Sequence, residues 1–321
     1  MSASVAVVGS FVQDLAFRVN QFAQPGETRI GDFFTGPGGK GSNQAVACHR
    51  QGIKTVFIGA VAEDIFGTGY RSWSLQEEMP VSLESVDNKP TGAASIVVNL
   101  KGENQIIVAL GANDSLSPEH VENTLSAQRK LEVIVTQAEC NLSATRAALA
   151  YAKREKLYSI FNPAPINDQI SLDLIQLASC ITPNETECQF LLSKFAGKEQ
   201  RFSSLEPTDD EVRQCTESLG LSTLLLTLGS NGSIFYSKSK VTNPSDQILR
   251  FPALLVDTVD TTGAGDAFNG GFAAGLVEFA ADYERAIKYA TVVAALSTEK
   301  HGTAPAMPSK DQVCKYSSFY S

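Results

Sequence analysis

Paired cysteines, histidine clusters, an excess of basic charge and long apolar runs are all missing from this sequence. The six cysteines (Cys48, Cys140, Cys180, Cys188, Cys215 and Cys314) show no paired short spacing. That argues against a disulfide framework or a zinc site and for buried free thiols. The three histidines, His49, His120 and His301, stand in no metal-ligand spacing. A net charge of −9 and a pI near 5.0 argue against nucleic acid as a partner, because phosphate backbones recruit basic surfaces. They leave room for a phosphorylated small molecule, since a local anion hole can sit in an acidic protein. The first apolar stretch, Val5-Ala6-Val7-Val8, is too short for a signal peptide or a membrane span. A cytoplasmic (or nuclear) protein without a membrane partner is therefore expected, and the sequons at Asn141, Asn184 and Asn231 are then chance matches.

What is present suits a large packed core: 321 residues, of which 43% are hydrophobic and 19% charged. Length alone suggests roughly two domains of about 150 residues, although α/β folds often run longer as one unit. Short apolar runs at Val5–Val8, Thr55–Ile58, Val133–Thr136, Ser159–Phe161, Cys180–Thr182 and Leu224–Thr227 read as buried strands. Amphipathic stretches such as Leu142–Glu155 and Glu185–Phe195 separate most of them. Strand and helix alternating in this way predict a three-layer α/β sandwich with a central, mostly parallel sheet. Right-handed crossovers then line up the loops that follow the strands along one ligand-binding edge. Glu27–Phe34 lacks a helical period, and Ala93–Asn99 with Gln105–Leu110 flank a turn and read as an antiparallel hairpin. The expectation is one α/β domain over residues 1–321 with a small β-sheet lid from about 11–36 and 91–110. Lys198–Asp210 is polar and turn-rich and reads as a surface loop.

Two glycine clusters carry the chemistry. Gly36-Pro37-Gly38-Gly39-Lys40-Gly41-Ser42-Asn43-Gln44 fails the P-loop pattern, because Phe34 takes the first glycine place and Gly41 follows the lysine. It remains a segment that can approach a ligand closely and start a helix near Ser42, pointing Lys40, Asn43 and Gln44 at that ligand. Asp260-Thr261-Thr262-Gly263-Ala264-Gly265-Asp266 precedes a buried apolar helix and is no dinucleotide fingerprint, since Phe268 stands at the third glycine place. Its small residues leave backbone N–H groups free for an anion hole that suits a transferring phosphoryl group. Local chemistry leaves Asp266 evenly balanced between helix N-cap and proton acceptor. Asn184 and Glu187, three apart on one helical face, can orient water around Mg²⁺ and phosphates, but the segment by itself favours an ordinary capping box. Thr227-Leu228-Gly229-Ser230-Asn231-Gly232 is a turn into the next strand and a plausible phosphate-contacting loop.

Taken in order, these segments resemble the ribokinase (PfkB-type) sugar kinase family over nearly the whole chain. The matching runs begin at Val7-Val8-Gly9-Ser10 with Asp14, then Pro25-Gly26-Glu27-Thr28 and Gly38-Gly39-Lys40-Gly41-Ser42-Asn43-Gln44-Ala45. They continue through Thr91-Gly92, Gly111-Ala112-Asn113, Asn162-Pro163-Ala164-Pro165 and Thr182-Pro183-Asn184-Glu185-Thr186-Glu187. Thr227-Leu228-Gly229-Ser230 and the family-specific run ending at Asp266 close the series.

The resemblance implies phosphoryl transfer from MgATP to the 5-hydroxyl of D-ribose. Asp266 would be the general base, with the amides of Gly263, Ala264 and Gly265 as the anion hole. Asp14, Gly38, Gly39, Lys40, Asn43 and Glu139 would hold the sugar. Asn184, Thr227, Gly229, Ser230, Gly232, Gly265 and Thr291 would line the ATP site, with Glu187 near Mg²⁺. A K⁺ site would match Asp260, Thr262, Ser297, Lys300, Gly302 and Ala306, several through backbone carbonyls. The lid implies a homodimer by analogy of fold. Two residues depart from the pattern. Val12 stands where bacterial ribokinases carry a sugar-touching asparagine, and Ala306 stands at a cation position often filled by serine. A deoxyribokinase, a fructokinase, a nucleoside kinase or a non-catalytic relative are the competing expectations; failed Gly-x-Gly-x-x-Gly matches weaken a nicotinamide oxidoreductase.

Overall fold

The computed structural model describes residues 2–197, 202, 206–238 and 247–321. The chain runs β1 (Val5–Val8), β2 (Val12–Arg18), β3 (Asp32–Gly38), α1 (Lys40–His49), β4 (Thr55–Val61), α2 (Ile65–Gln76), β5 (Val81–Ser85), β6 (Ala93–Val98), β7 (Asn104–Ala109) and α3 (Pro118–Ser126). It continues with β8 (Val133–Gln137), α4 (Leu142–Glu155), β9 (Tyr158–Asn162), α5 (Leu172–Ile175), β10 (Cys180–Ile181), α6 (Glu185–Phe195), α7 (Asp209–Ser218) and β11 (Thr223–Thr227). It ends through β12 (Ser233–Ser237), β13 (Gln247–Phe251), α8 (Ala264–Glu278), α9 (Tyr283–Ser297) and two short helices.

Among the described residues, nine strands form the main sheet in the order β13-β12-β11-β10-β9-β8-β1-β4-β5. The seven strands from β11 to β5 are parallel, and β12 and β13 add antiparallel to one edge. Burial on both faces follows from the period of two along each strand. Val5 and Val7 of β1, with Val133 and Val135 of β8, enter the core under α1, α8 and α9. Ala6, Val8 and Ile134, one residue out of step, enter the core under α3 and α4. A third cluster packs α6 and α7 against β10, β11 and β12.

After β1 the chain adds strands on one side of it, β4 and β5, and then returns to build β8 to β11 on the other. This reversal between β1 and β8 is a topological switch point, where loops leave the strand ends in opposite directions and open a crevice. The second sheet, in the order β3-β2-β6-β7, stands at that edge. β2 pairs antiparallel with β3 and parallel with β6, and β6 with β7 forms the expected hairpin.

Several boundaries differ from the sequence reading. The first glycine cluster starts its helix at Lys40, not Ser42. Gly39 is the residue before the helix at φ 85°, and a side chain there would meet the Val12 amide at 2.6 Å. Ser42, inside the helix, accepts a hydrogen bond from the Tyr70 hydroxyl. The 198–210 stretch lies partly outside the described residues, and its end is helical, because Thr208 and Glu211 close a capping box that starts α7 at Asp209. No helix among the described residues is long and apolar enough to cross a membrane.

The helix after the second cluster is held against α1 at one point of backbone contact. A methyl group at Gly270 would lie 2.4 Å from the Gln44 carbonyl and 2.6 Å from Ala47 Cβ. Gly270→Ala must therefore push α8 from α1. The expected cost is about 1–3 kcal/mol of overpacking, read as a lower urea midpoint with an unchanged denaturant slope.

Candidate active site

Glu139 follows β8 and Ser10 follows β1, so the switch point brings them together from opposite sides of the reversal. The Ser10 hydroxyl donates to Glu139 Oε2 at 2.6 Å, and the Lys40 amide donates to the same oxygen at 2.8 Å. Asp14, on β2, lies against Gly38 on β3. A Cβ at Gly38 would fall 2.2 Å from Asp14 Oδ2, so only glycine leaves that carboxylate its place. Asp14 Oδ2 accepts from the Thr303 hydroxyl at 3.0 Å. Burial pushes the Asp14 carboxyl up to about 6; the Thr303 bond pulls it down, and the Glu139 and Asp266 charges push it further up.

The carboxylate of Asp266 is the meeting point of α1 and α8. Gly263 precedes α8 in a left-handed conformation and makes no side-chain cap, and Asp266 is the third residue of the helix. The N-cap alternative for Asp266 is thereby overturned, since its oxygens face across to α1. Asn43 Nδ2 donates to Oδ2 at 2.9 Å, and Gln44 Nε2 donates to Oδ1 at 3.0 Å. Gln137 Nε2 donates to Gln44 Oε1 at 2.6 Å, which fixes the Gln44 amide with its nitrogen towards Asp266. Asn162 shares the same Gln44 nitrogen at 3.3 Å and donates to the Thr182 carbonyl. Asn43 Oδ1 is buried with no hydrogen-bond partner among the described residues. An unpaired buried amide oxygen suits a hydroxyl donor.

A cleft of about 550 Å³ begins at Lys40 and Asp266 and runs along α8 to the ends of β11 and α9. Asn184, Glu187, Thr227, Gly229, Ser230, Gly232, Gly263, Ala264, Gly265 and Thr291 all line it. Leu254, Leu255, Val256, Ala294 and Ala295 give its far end an apolar wall, which suits a flat ring. Asn184 and Glu187 do form the capping box that the segment favours, and they also face the cleft. At the other end, the Ala264 amide turns back to the Thr261 carbonyl at 3.2 Å. The amides of Gly263 and Gly265 have no acceptor among the described residues, as expected at a helix start.

Charge concentrates where cradle and cleft meet. Burial works against the Lys40 ammonium, but the Asp266, Glu139 and Glu187 carboxylates around it outweigh burial and hold it above its ordinary value. Glu139 and Glu187 are pushed up by burial, an effect that Lys40 offsets for both. The sum is a single cation among carboxylates, beside open amides at a helix N-terminus. The open amides at the helix start can take an anionic group, while the surplus of carboxylates over Lys40 calls for a cation to accompany it.

Asp260 Oδ1 accepts from the Thr262 amide at 2.9 Å and Oδ2 from the Gly302 amide at 3.1 Å. Thr298, beside Ser297, accepts the Val259 and Asp260 amides, while the Ser297 hydroxyl turns to the Ala294 carbonyl. Ala306 joins through its amide to the Thr303 carbonyl. Lys300 is not drawn into these bonds among the described residues. The matching positions offer carboxylate and carbonyl oxygen, the donors a hard cation takes. Among the described residues no group of three or more acidic, histidine or cysteine side chains is arranged to hold a metal ion. A magnesium ion held by one carboxylate and nucleotide phosphates requires none.

Fold and site together define a phosphotransferase-type α/β protein with a polar cradle opening into a nucleotide-sized cleft. Residues 2–310 match the pfkB family carbohydrate kinase. The chain is 33% identical to a deoxyribokinase of Salmonella typhi, over 97% of this chain and 98% of that one. It is 32% identical to a ribokinase of Haemophilus influenzae, over 98% and 99%. The structure of Arabidopsis thaliana ribokinase complexed with ribose and ATP superposes with a TM-score of 0.82 at 27% identity, covering 98% of both chains. The chain belongs to the pfkB family of carbohydrate kinases.

Gln137, Ser10 and Thr303 were not singled out from sequence as side chains of the site. Gln137 had a readable signal, an amide at the carboxyl end of a strand that opens with three apolar residues. Thr303 had none, because its partner Asp14 is 289 positions away. Gln44→Ala strands the buried Gln137 amide, and Gln44→Glu sets a second carboxylate against Asp266. Both variants are expected to lose about 1–3 kcal/mol of stability, with Gln44→Glu the worse, measured by urea unfolding at pH 7.5.

Proposed function

We propose that the chain is an ATP-dependent pentose kinase that transfers the γ-phosphoryl group of ATP to the 5-hydroxyl of D-ribose. The observation that carries this reading is the position of Asp266. Its clamped carboxylate stands beside the open amides of α8, where the polar cradle meets the cleft. In the reaction, Asp266 accepts the proton of the sugar hydroxyl as that oxygen attacks the γ-phosphorus. The bond to the bridging oxygen of ADP breaks, and the open amides of Gly263 and Gly265 face the charge that spreads over the phosphoryl oxygens, while the Ala264 amide stays on Thr261. Asp14, Asn43, Glu139 and the backbone at Gly38 and Gly39 hold the sugar hydroxyls, and Lys40 balances charge between sugar and phosphates. Asn184, Thr227, Gly229, Ser230, Gly232 and Thr291 hold the nucleotide.

Glu187 would lie near Mg²⁺, which would draw charge from the nucleotide phosphates. Asp260, Thr262, Ser297, Lys300, Gly302 and Ala306 would hold K⁺, several through backbone carbonyls, and the ion would add positive charge behind the Gly263 loop. The whole chain acts as one α/β domain, and its small sheet closes over the sugar to exclude water. Phe17, Phe33 and Ile107 are exposed on one face of that sheet, and we read this apolar face as the surface of a homodimer.

Phosphorylation of 2-deoxy-D-ribose is the second reading. It is favoured by the similarity to a deoxyribokinase and by Val12, a buried apolar side chain two residues from Asp14. A coupled ADP-release assay over D-ribose, 2-deoxy-D-ribose, D-fructose and nucleosides, with and without K⁺, separates the readings. D-ribose should show the highest kcat/KM, and a preference for any other acceptor rejects it.

Asp266→Asn should lower kcat by about 10²–10⁴-fold with nucleotide affinity retained; near-normal turnover would sink the general-base role. Asp14 supplies a pH test. Its carboxyl is raised to about 6, so it is a charged acceptor at pH 7.5 and becomes protonated as pH falls through that value. The sugar KM should therefore rise between pH 7 and pH 5.5, and Asp14→Asn should flatten that rise.

A further inference from the structure

Thr303 lies in the loop that follows Gly302, and it touches three parts of the site at once. Its side chain is buried, and its single hydroxyl proton has two acceptors within reach. Asp14 Oδ2 on β2 is 3.0 Å away, and the Pro37 carbonyl on β3 is 3.2 Å away. Behind it, a Cβ at Gly263 would lie 3.5 Å from Thr303 Cα and Cβ, so the start of α8 packs directly on this residue. The Gly302 amide and the Thr262 amide both bind Asp260, which ties the Thr303 loop to the loop that leads into Gly263.

We propose that Thr303 is a positioning residue for the acceptor sugar, orienting the Asp14 carboxylate and linking it to the loop at the start of α8. The chemistry lies in the choice of acceptor. Without sugar, the hydroxyl donates to Asp14 and holds that carboxylate in one rotamer. When a sugar hydroxyl donates to the same oxygen, the Thr303 proton can turn to the Pro37 carbonyl. No buried donor is then left unpaired in either state, so sugar can enter and leave without stranding a polar group. The bond is made to a charged acceptor, which places it among the stronger hydrogen bonds. Sugar binding at Asp14 and the geometry of the Gly263 amide are thereby coupled through one side chain. Such coupling is reciprocal, since whatever fixes the loop also fixes Asp14.

This inference rests on the reading of Asp14 as a sugar ligand, and the experiment separates the two. Thr303→Val keeps the shape and removes the hydroxyl; Thr303→Ser keeps the hydroxyl. Binding of D-ribose and of 2-deoxy-D-ribose to the full-length protein is measured by titration calorimetry, with ADP binding and the urea midpoint as controls. Thr303→Val should weaken pentose binding about tenfold and leave ADP binding unchanged, and Thr303→Ser should restore affinity to within about twofold. Unchanged pentose affinity in Thr303→Val overturns the proposal. So does a Thr303→Ser variant as impaired as Thr303→Val, or a parallel loss of ADP binding, which would mark a merely structural role.

If the unmodified protein binds neither pentose, the reading of the sugar site fails by itself. The Thr303 contact is then read in the free protein from the carbon NMR titration of the Asp14 carboxyl, which also faces Glu139 and Asp266. An upward move in Thr303→Val supports the orienting bond, and an unmoved titration rejects it.

Discussion

The clamp on Asp266 is the constraint on which the rest of the site depends. Two amides from α1 hold the two oxygens of a carboxylate on α8, and a third amide behind them fixes which way Gln44 faces. The clamp closes only because the helices touch through backbone at Gly270, where any side chain would force them apart. It also explains why the carboxylate is not spent as a helix cap. Gly263 starts α8 without a side-chain acceptor, so the first amides stay open beside an acid that is already oriented.

Around the clamp, charge is arranged for occupants. Lys40 is the cation surrounded by Asp266, Glu139 and Glu187, and burial pushes the Glu139, Glu187 and Asp14 carboxyls upward. Burying that many acids close together is unfavourable unless hydrogen bonds and counter-charge offset it. Ser10 and the Lys40 amide serve Glu139, the Asn184 amide serves Glu187, and Thr303 serves Asp14. Each of these donors comes from a different part of the chain. The sheet reversal between β1 and β8 brings Ser10 to Glu139, and the pairing of β2 with β3 sets Asp14 against Gly38.

Much of this was legible before the fold was known. The strand runs fell inside the observed strands except at Thr182, Asn99 and Leu110, each one residue past a strand end, and α4 and α6 have the boundaries the apolar pattern indicates. Both glycine clusters came out beside the cleft, because glycine is needed wherever backbone must approach backbone or a ligand closely. The errors were local. The start of α1 was placed two residues late, since Ser42 looks like a cap while the positive φ at Gly39 leaves no sequence mark. The start of α7 was missed inside a polar stretch, where a capping box resembles an ordinary loop.

By itself, the sequence determined the layered α/β architecture and the family. Those properties are written in period, spacing and residue type, all of which are local. The tertiary structure alone decided that Asp266 faces Asn43 and Gln44 in place of its own helix amides. It also decided that Gln137 stands behind them and that Thr303 bridges to Asp14. These are pairings between distant positions, fixed by which strand lies next to which and by how closely two helices can approach. A single chain carries no local trace of either.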